Sequence, residues 1–270
     1  MNAKYSFFSS WCCILSFLLA STATQAAEDL FHKAQKYESE QQWSEAYSVY
    51  TEILHRDPNN AQTHYRLGTV NAKLGALDSA LRSYKEALRL NPGFGEARTA
   101  LEGYYTNLGI TQRRNNRLDD AMQSFREALS YNASSANAHF EFAQTLEQRG
   151  QTSEAIPEYQ EAIRLDPSKS AAHASVAKAY AAQGQHEQAA HAYQEVLRLN
   201  PEDPAAYHGL GVAYYDLGRK EQALTALQQA VRFYLLAGQR DKAQPAYDLQ
   251  KRLMAERSSP PPPSSKPKKK

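Results

Sequence analysis

Valine and isoleucine together occur 11 times in this chain of 270 residues, whereas alanine occurs 42 times. Sheets draw on β-branched residues and helices favour alanine, so a β-rich fold is excluded. Cysteine is almost absent. Cys12 and Cys13 are the whole complement, and both lie in one apolar stretch at the N-terminus. Without that stretch the chain has neither a disulfide nor a thiolate metal site. Charge of one sign is also lacking: the formal net charge is +2, which excludes an overall basic nucleic-acid binder. No phosphate-binding glycine loop, HExxH motif or nucleophile elbow occurs, so the common signatures of nucleotide, metalloprotease and hydrolase chemistry are missing.

The N-terminus has the pattern of a targeting segment. Lys4 is followed by a charge-free run from Phe7 to Ala20, then small residues up to Ala26 and Ala27, then the acids Glu28 and Asp29. A basic start, a short apolar core and small residues before a polar switch predict a secretory signal peptide over 1–26, cleaved after Ala26. The apolar run is shorter than the ~20 residues that cross a bilayer, which disfavours the alternative of an uncleaved inner-membrane anchor. The expected destination is the periplasm. Lys4 is the only basic residue before Glu28, so the remainder carries 30 basic against 29 acidic residues.

A period of 34 residues organises the rest of the chain. The segments ILHRDP, ALRLNP, AIRLDP and VLRLNP end at Pro58, Pro92, Pro167 and Pro201, at steps of 34, 75 and 34 residues. The middle step is two periods plus seven, with Ala133 in the missing proline's place. Within a period, Leu67, Gly68 and Asn71 share one helical face, and after Gly75 come Ala80, Tyr84 and Ala87 at helical spacing. Each period therefore predicts two helices around a turn. Ser44, Asp78, Asp119 and Ser153 are the expected N-caps of second helices, and Asp203-Pro204 opens a first helix in the favoured order.

The same slots recur. Gly75, Gly150, Gly184 and Gly218 mark the turn, with Asn116 replacing glycine once, as suits a left-handed backbone. Ala46, Ala80, Ala121, Ala155, Ala189 and Ala223 form a small-residue slot where helices can approach closely. Tyr50, Tyr84, Phe125, Tyr159, Tyr193 and Leu227 form a bulky slot that would fill the gap to the next repeat.

These residues resemble the tetratricopeptide repeat, with small and large residues at fixed places in a helix–turn–helix. Six repeats are read: 27–60, 61–94, 102–135, 136–169, 170–203 and 204–237. The resemblance implies an all-α fold, a right-handed α-solenoid. Residues 95–101 are an insertion, either an extension of the following first helix or a glycine-rich joint. Pro157 and Pro245 lie early in second helices and predict small kinks. Gly238, Ala243 and Tyr247 repeat the turn–small–ring spacing, so residues 238–257 are expected to cap the array. Residues 258–270, with five of the twelve prolines, predict an extended, disordered tail. Its Lys266, Lys268, Lys269 and Lys270 are candidates for holding an anionic surface; without them the body is mildly acidic, at 26 basic to 29 acidic residues.

The family's usual binding surface is the concave face lined by first helices. The resemblance places there Phe31, Gln35, Tyr65, Thr69, Thr106, Ile110, Phe140, Gln144, Lys178, His208, Val212 and Tyr215. Exposed rings on such a face anchor peptide segments, although several could instead pack within their own helix pair. The cationic clamp by which some members hold a C-terminal carboxylate is not matched, since only Lys178 is cationic in this set. His64, His139 and His173 share one slot, so repetition accounts for them without a metal. The turn Arg113-Arg114-Asn115-Asn116-Arg117 is a weaker candidate for an acidic partner, and the carboxylates read as solvated faces. The expected function is a non-catalytic scaffold or assembly factor of the cell envelope, with protein partners, no cofactor, no metal and no nucleic acid. The alternative is a structural protein that self-associates or is tethered through its lysine tail.

Overall fold

The structure is a computed structural model and describes residues 25–258. Residues 1–24 of the expected signal peptide 1–26, and the expected tail from 259 with its four lysines, lie outside the described residues. Thirteen helices and no strand occur among the described residues. Helix α1 covers 25–39 and α2 Trp43–Arg56. Then come α3 Ala61–Lys73, α4 Leu77–Leu90, α5 Gly95–Arg114 and α6 Leu118–Tyr131. They are followed by α7 Ala136–Gln148, α8 Thr152–Leu165, α9 Ser170–Ala182 and α10 His186–Leu199. The last are α11 Pro204–Asp216, α12 Lys220–Leu236 and α13 Arg240–Ser258. Odd-numbered helices from α1 to α11 are the first helices of the hairpins, and even-numbered ones the second. None of the described helices is long and apolar enough to cross a membrane.

The chain divides into two compact bodies. The N-terminal body holds the described residues up to Tyr105 together with Ser130–Asn132; the C-terminal body holds Thr106–Leu129 and the residues from Ala133 onward. In the N-terminal body α2 packs on α3 and α3 on α4. In the C-terminal body each helix from α7 to α13 packs on the next, and α9 also touches both α7 and α11, so these first helices form one layer.

The turn between the two helices of a hairpin explains the glycine spacing. Gly75, Gly150, Gly184, Gly218 and Gly238 all have φ between 71° and 86°, a left-handed backbone that glycine adopts without a Cβ clash. Asn116 takes the same conformation at φ 58°, and so does Gln41, which carries no sequence signal for it. Two different loops then set two kinds of helix start. First helices begin after a longer link, and three of them are capped by side chains: Asn60 accepts from Thr63 N, Ser135 from Ala138 N, and Asp203 from Ala205 N and Ala206 N, whereas Lys169 before α9 makes no such bond.

Second helices begin two residues after the left-handed turn, too soon for the expected caps. Ser44, Asp78, Asp119 and Ser153 therefore stand second within the first turn, and the capping places of α2, α4 and α8 fall to Gln42, Ala76 and Gln151 without a side-chain cap bond. The acids among them still complement the positive helix end.

The insertion resolves as helix. Helix α5 runs unbroken for 20 residues from Gly95, because Ala97 and Leu101 fall on one face and are fully buried. Pro157 and Pro245 each stand sixth in a helix that continues through them, so each removes one intrahelical bond beyond the first turn.

The recurrent slots are the core. The alanines Ala46, Ala80, Ala121, Ala155, Ala189 and Ala223 are at most 1% exposed, and the bulky residues from Tyr50 to Leu227 at most 6%. They pack against small residues of first helices. A Cβ on Gly68 would come 2.7 Å from the Tyr84 ring, and one on Gly109 would come 2.8 Å from Phe125. The ring also spans to the next hairpin, since a Cβ on Gly209 of α11 would lie 2.2 Å from Tyr193 of α10.

Candidate functional site

The first-helix face is built in both bodies from the same parts. In the N-terminal body the ring of Phe31 meets Tyr50 edge-on at 5.7 Å, and Tyr65 lies 5.8 Å from Tyr84 and 5.1 Å from Phe94. In the C-terminal body Phe140 lies 5.9 Å from Tyr159. A ring early in the first helix thus leans on the bulky slot of its own hairpin. This fixes its rotamer, and such contacts add about 0.5–1.5 kcal/mol beyond area burial. The cost is access. Phe31 and Tyr65 stay half-buried, but Phe140 is 8% exposed and Thr106 3%. Lys169 lies over the Phe140 ring at 5.1 Å. Phe140 and Thr106 are therefore packing residues, not open anchors.

The other candidates divide by exposure. In the N-terminal body Gln35 and Thr69 are half-buried; the Thr69 hydroxyl donates to Tyr65 O at 3.2 Å and receives the Tyr84 hydroxyl at 3.5 Å. In the C-terminal body Lys178 is exposed, and Gln144, Val212, His208, Tyr215 and Ile110 are half-buried. Ile110 and Tyr215 lean on the core. Burial holds His208 below the usual histidine range, which favours a neutral imidazole.

Ion pairs between successive first helices run beside these rings. Arg66 of α3 donates to Glu38 of α1 at 3.3 Å, with side chains 31% and 14% exposed. Arg113 of α5 donates to Glu141 of α7 at 2.5 Å, with side chains 21% and 16% exposed. Both pairs join residues 28 apart in sequence, so the register is the same and the polarity is reversed. One partner lies three residues before the left-handed turn residue, and the other nine residues before the next one. Glu147 occupies the first of these slots in its own hairpin and accepts the Tyr159 hydroxyl at 2.8 Å. Burial, with Glu38 and Glu147 beside them, pushes the Tyr50 and Tyr159 hydroxyls far above the tyrosine range, so both stay neutral donors.

These carboxylates are not the solvated groups that the sequence suggested. The signal was available: opposite charges 28 residues apart become neighbours once the 34-residue register is imposed. Arg113 likewise leaves the arginine-rich turn for Glu141, and Arg117 is held by Asp120 at 2.8 Å, so the turn is not an open cationic cluster. Glu38 Oε1, Arg66 Nε and Arg113 Nε are buried, and Glu38 stands beside the Tyr50 hydroxyl, so both pairs are embedded in the packing between first helices.

The three histidines of one slot share one role. The Nε2 atoms of His64, His139 and His173 lie 2.9, 3.2 and 3.1 Å from the carbonyl oxygens of Pro58, Ala133 and Pro167, six residues earlier. Each staples the link that leads into its own helix. His139 alone of the three also binds a carboxylate, Glu158, through Nδ1 at 2.6 Å, and this contact raises its pKa. No cluster of three or more His, Cys, Asp or Glu side chains able to hold a metal ion occurs among the described residues.

Models of the tetratricopeptide repeat match residues 61–94, 106–170 and 204–234, and a TPR repeat model matches 177–218; together they span more than half of the chain. No curated protein matches the sequence. Among solved structures, YrrB, described as a TPR protein with an unusual peptide-binding site, superimposes with a TM-score of 0.55 at 20% identity over 74% of this chain and 97% of its own. The C-terminal part of a TPR repeat-containing protein from Cytophaga hutchinsonii gives a TM-score of 0.57 at 14% identity over 85% of this chain and 89% of its own. At these identities the likeness is one of fold, an α-solenoid of helix hairpins. The helix–turn–helix period, the filled slots and the matching repeat models agree: the chain belongs to the tetratricopeptide repeat family.

Proposed function

We propose that the chain is a non-catalytic scaffold that takes extended segments of partner proteins along its first-helix faces. The repeat fold supports an interaction role in general terms, and YrrB, which shares it, is described as having a peptide-binding site. One observation carries the more specific reading: in each body, half-buried rings and amides stand on first helices beside ion pairs that join successive first helices. Phe31, Gln35, Tyr65 and Thr69 supply this in the N-terminal body. Gln144, Lys178, His208 and Tyr215 supply it in the C-terminal body. Rings with fixed rotamers lose little entropy on binding, and amides can bond the backbone of an extended peptide. The signal-peptide pattern before Glu28 supports a place in the cell envelope, where the partners would be subunits of an envelope assembly.

Selection from a random peptide library provides the test. Selected peptides should bind the wild-type chain and lose at least about tenfold in affinity with Gln144→Ala plus Lys178→Glu, or with Phe31→Ala plus Tyr65→Ala. Arg164→Glu, at an exposed position of the second helix α8, should leave binding unchanged. Equal binding by all variants would defeat the assignment to this face.

A further inference from the structure

The C-terminal end of the repeat array is built like an interior junction, but nothing among the described residues covers it. Relative to the left-handed Gly238, Ala243 and Tyr247 stand five and nine residues on, the spacing of every small-residue and bulky slot before them. The six earlier bulky residues are at most 6% exposed, while Tyr247 is 50% exposed. Leu235, three residues before Gly238, stands where Glu38 and Arg113 reach the following first helix, and it is 51% exposed. Leu236 beside it is 73% exposed. The end of a repeat array normally turns a polar face to water; α13 exposes mostly charged residues, and Tyr247, Leu235 and Leu236 are apolar exceptions at this end.

We propose that α1 of a second copy of this chain docks on this end, continuing the repeat register from one molecule into the next. The occupant is identified by what covers the equivalent slots. In the interior the bulky residue is closed by the next first helix, as Tyr193 is by Gly209 of α11. Helix α1 is a first helix with no second helix before it among the described residues. His32, nine residues before the turn residue Gln41, stands in the slot of Gly209, Arg66 and Glu141, and it is exposed. In the partner copy it would face Tyr247 and Leu235.

Charge fits the same register. A short link joins each second helix to the next first helix, so the start of a docked α1 falls beside the end of α13. The start of α1 carries the exposed acids Glu28 and Asp29. The end of α13 carries exposed Lys251, Arg252 and Arg257; of the two acids near them, Glu256 is held by Lys220 at 2.6 Å and Asp248 accepts from Gln244 at 2.8 Å. The contact joins two different surfaces, so it propagates from copy to copy.

Sedimentation velocity of the purified chain over a roughly hundredfold concentration range should show species larger than a monomer that grow with concentration. Two variants each block one end: Tyr247→Glu with Leu235→Glu, and Glu28→Lys with Asp29→Lys. All four residues are exposed, and circular dichroism should show wild-type helix content. Should the first variant lose helix, Lys251→Glu with Arg257→Glu takes its place. Each variant alone should be monomeric, and an equimolar mixture should form a one-to-one dimer that grows no further, because one intact end of each kind remains. A wild-type monomer at every concentration would overturn the proposal. So would variants that assemble as wild type does, or a mixture that stays monomeric.

Discussion

Tyr159 and Tyr247 occupy the same place in the repeat, nine residues after a left-handed glycine and four after a buried alanine, yet one is sealed and the other half exposed. Tyr159 lies between its own first helix and the next hairpin, and its hydroxyl is bound to Glu147 at 2.8 Å. Tyr247 comes after Ala243 on the last helix, with no hairpin beyond it among the described residues. A repeat's sequence therefore specifies a slot, and the neighbouring repeat determines whether that slot becomes core. Burial in this fold belongs to junctions rather than to single repeats.

The sharpest way to break the comparison is to delete both rings. Tyr159→Ala should cost about 3–5 kcal/mol in urea unfolding, through lost burial and an unpaired Glu147, whereas Tyr247→Ala should cost less than about 1 kcal/mol. Equal costs would mean that the end is packed as tightly as the interior. Closeness at a junction is tested by Gly209→Ala. Its Cβ would fall 2.2 Å from the Tyr193 ring, so α11 must shift, at about 1–3 kcal/mol.

The half-buried ion pairs come next. Arg113→Ala leaves Glu141 partly desolvated and should cost about 1–3 kcal/mol, part of which the double replacement with Glu141→Ala should recover. A double-mutant cycle measures that coupling, and additive losses would show the pair to be incidental.

A smaller effect depends on pH. The contact with Glu158 raises the pKa of His139 in the folded chain above its unfolded value near ~6.5. The stabilisation it contributes is therefore complete below that unfolded value and lost as pH rises through the folded pKa. Wild type should exceed His139→Gln in stability at about pH 5.5 and lose most of that margin at about pH 8.5. A margin that grows with pH would contradict the assigned contact. The smallest change expected is at Gln41, whose φ of 58° strains a residue with a Cβ. Gln41→Gly should stabilise by at most about 1 kcal/mol, whereas Gly150→Ala should destabilise by about that much; thermal unfolding of both variants checks the sign.

Much of this architecture was legible in the sequence because it depends on spacing. Gly75 and Gly150 are needed for a left-handed turn, and Ala155 and Tyr159 come at fixed distances after it, so period and slots could be read from a single chain. Other features depend on contacts that spacing alone does not rank. Ser44 and Asp78 have capping chemistry but sit two positions after the capping places of Gln42 and Ala76, because the link into second helices is shorter than the link into first helices. Gln41 adopts the turn conformation without any residue-level signal, imposed by the hairpin around it. At the candidate site, Phe31 and Tyr65 were identifiable as rings on the first-helix face. Phe140, in the same slot, is closed off by Tyr159 and Lys169, and a repeat pattern does not distinguish the two situations. Glu38–Arg66 and Arg113–Glu141 become visible only when residues 28 apart are compared across the register.

The central claim, that partner segments lie along the first-helix faces, is tested most directly by site-specific photo-crosslinking with a selected peptide. A crosslinking residue placed at Gln35, Gln144 or Lys178 on first helices should capture the peptide, and one placed at Arg126, Gln160 or Arg198 on second helices should not. Capture from the second-helix positions, with none from Gln35, Gln144 or Lys178, would contradict the account.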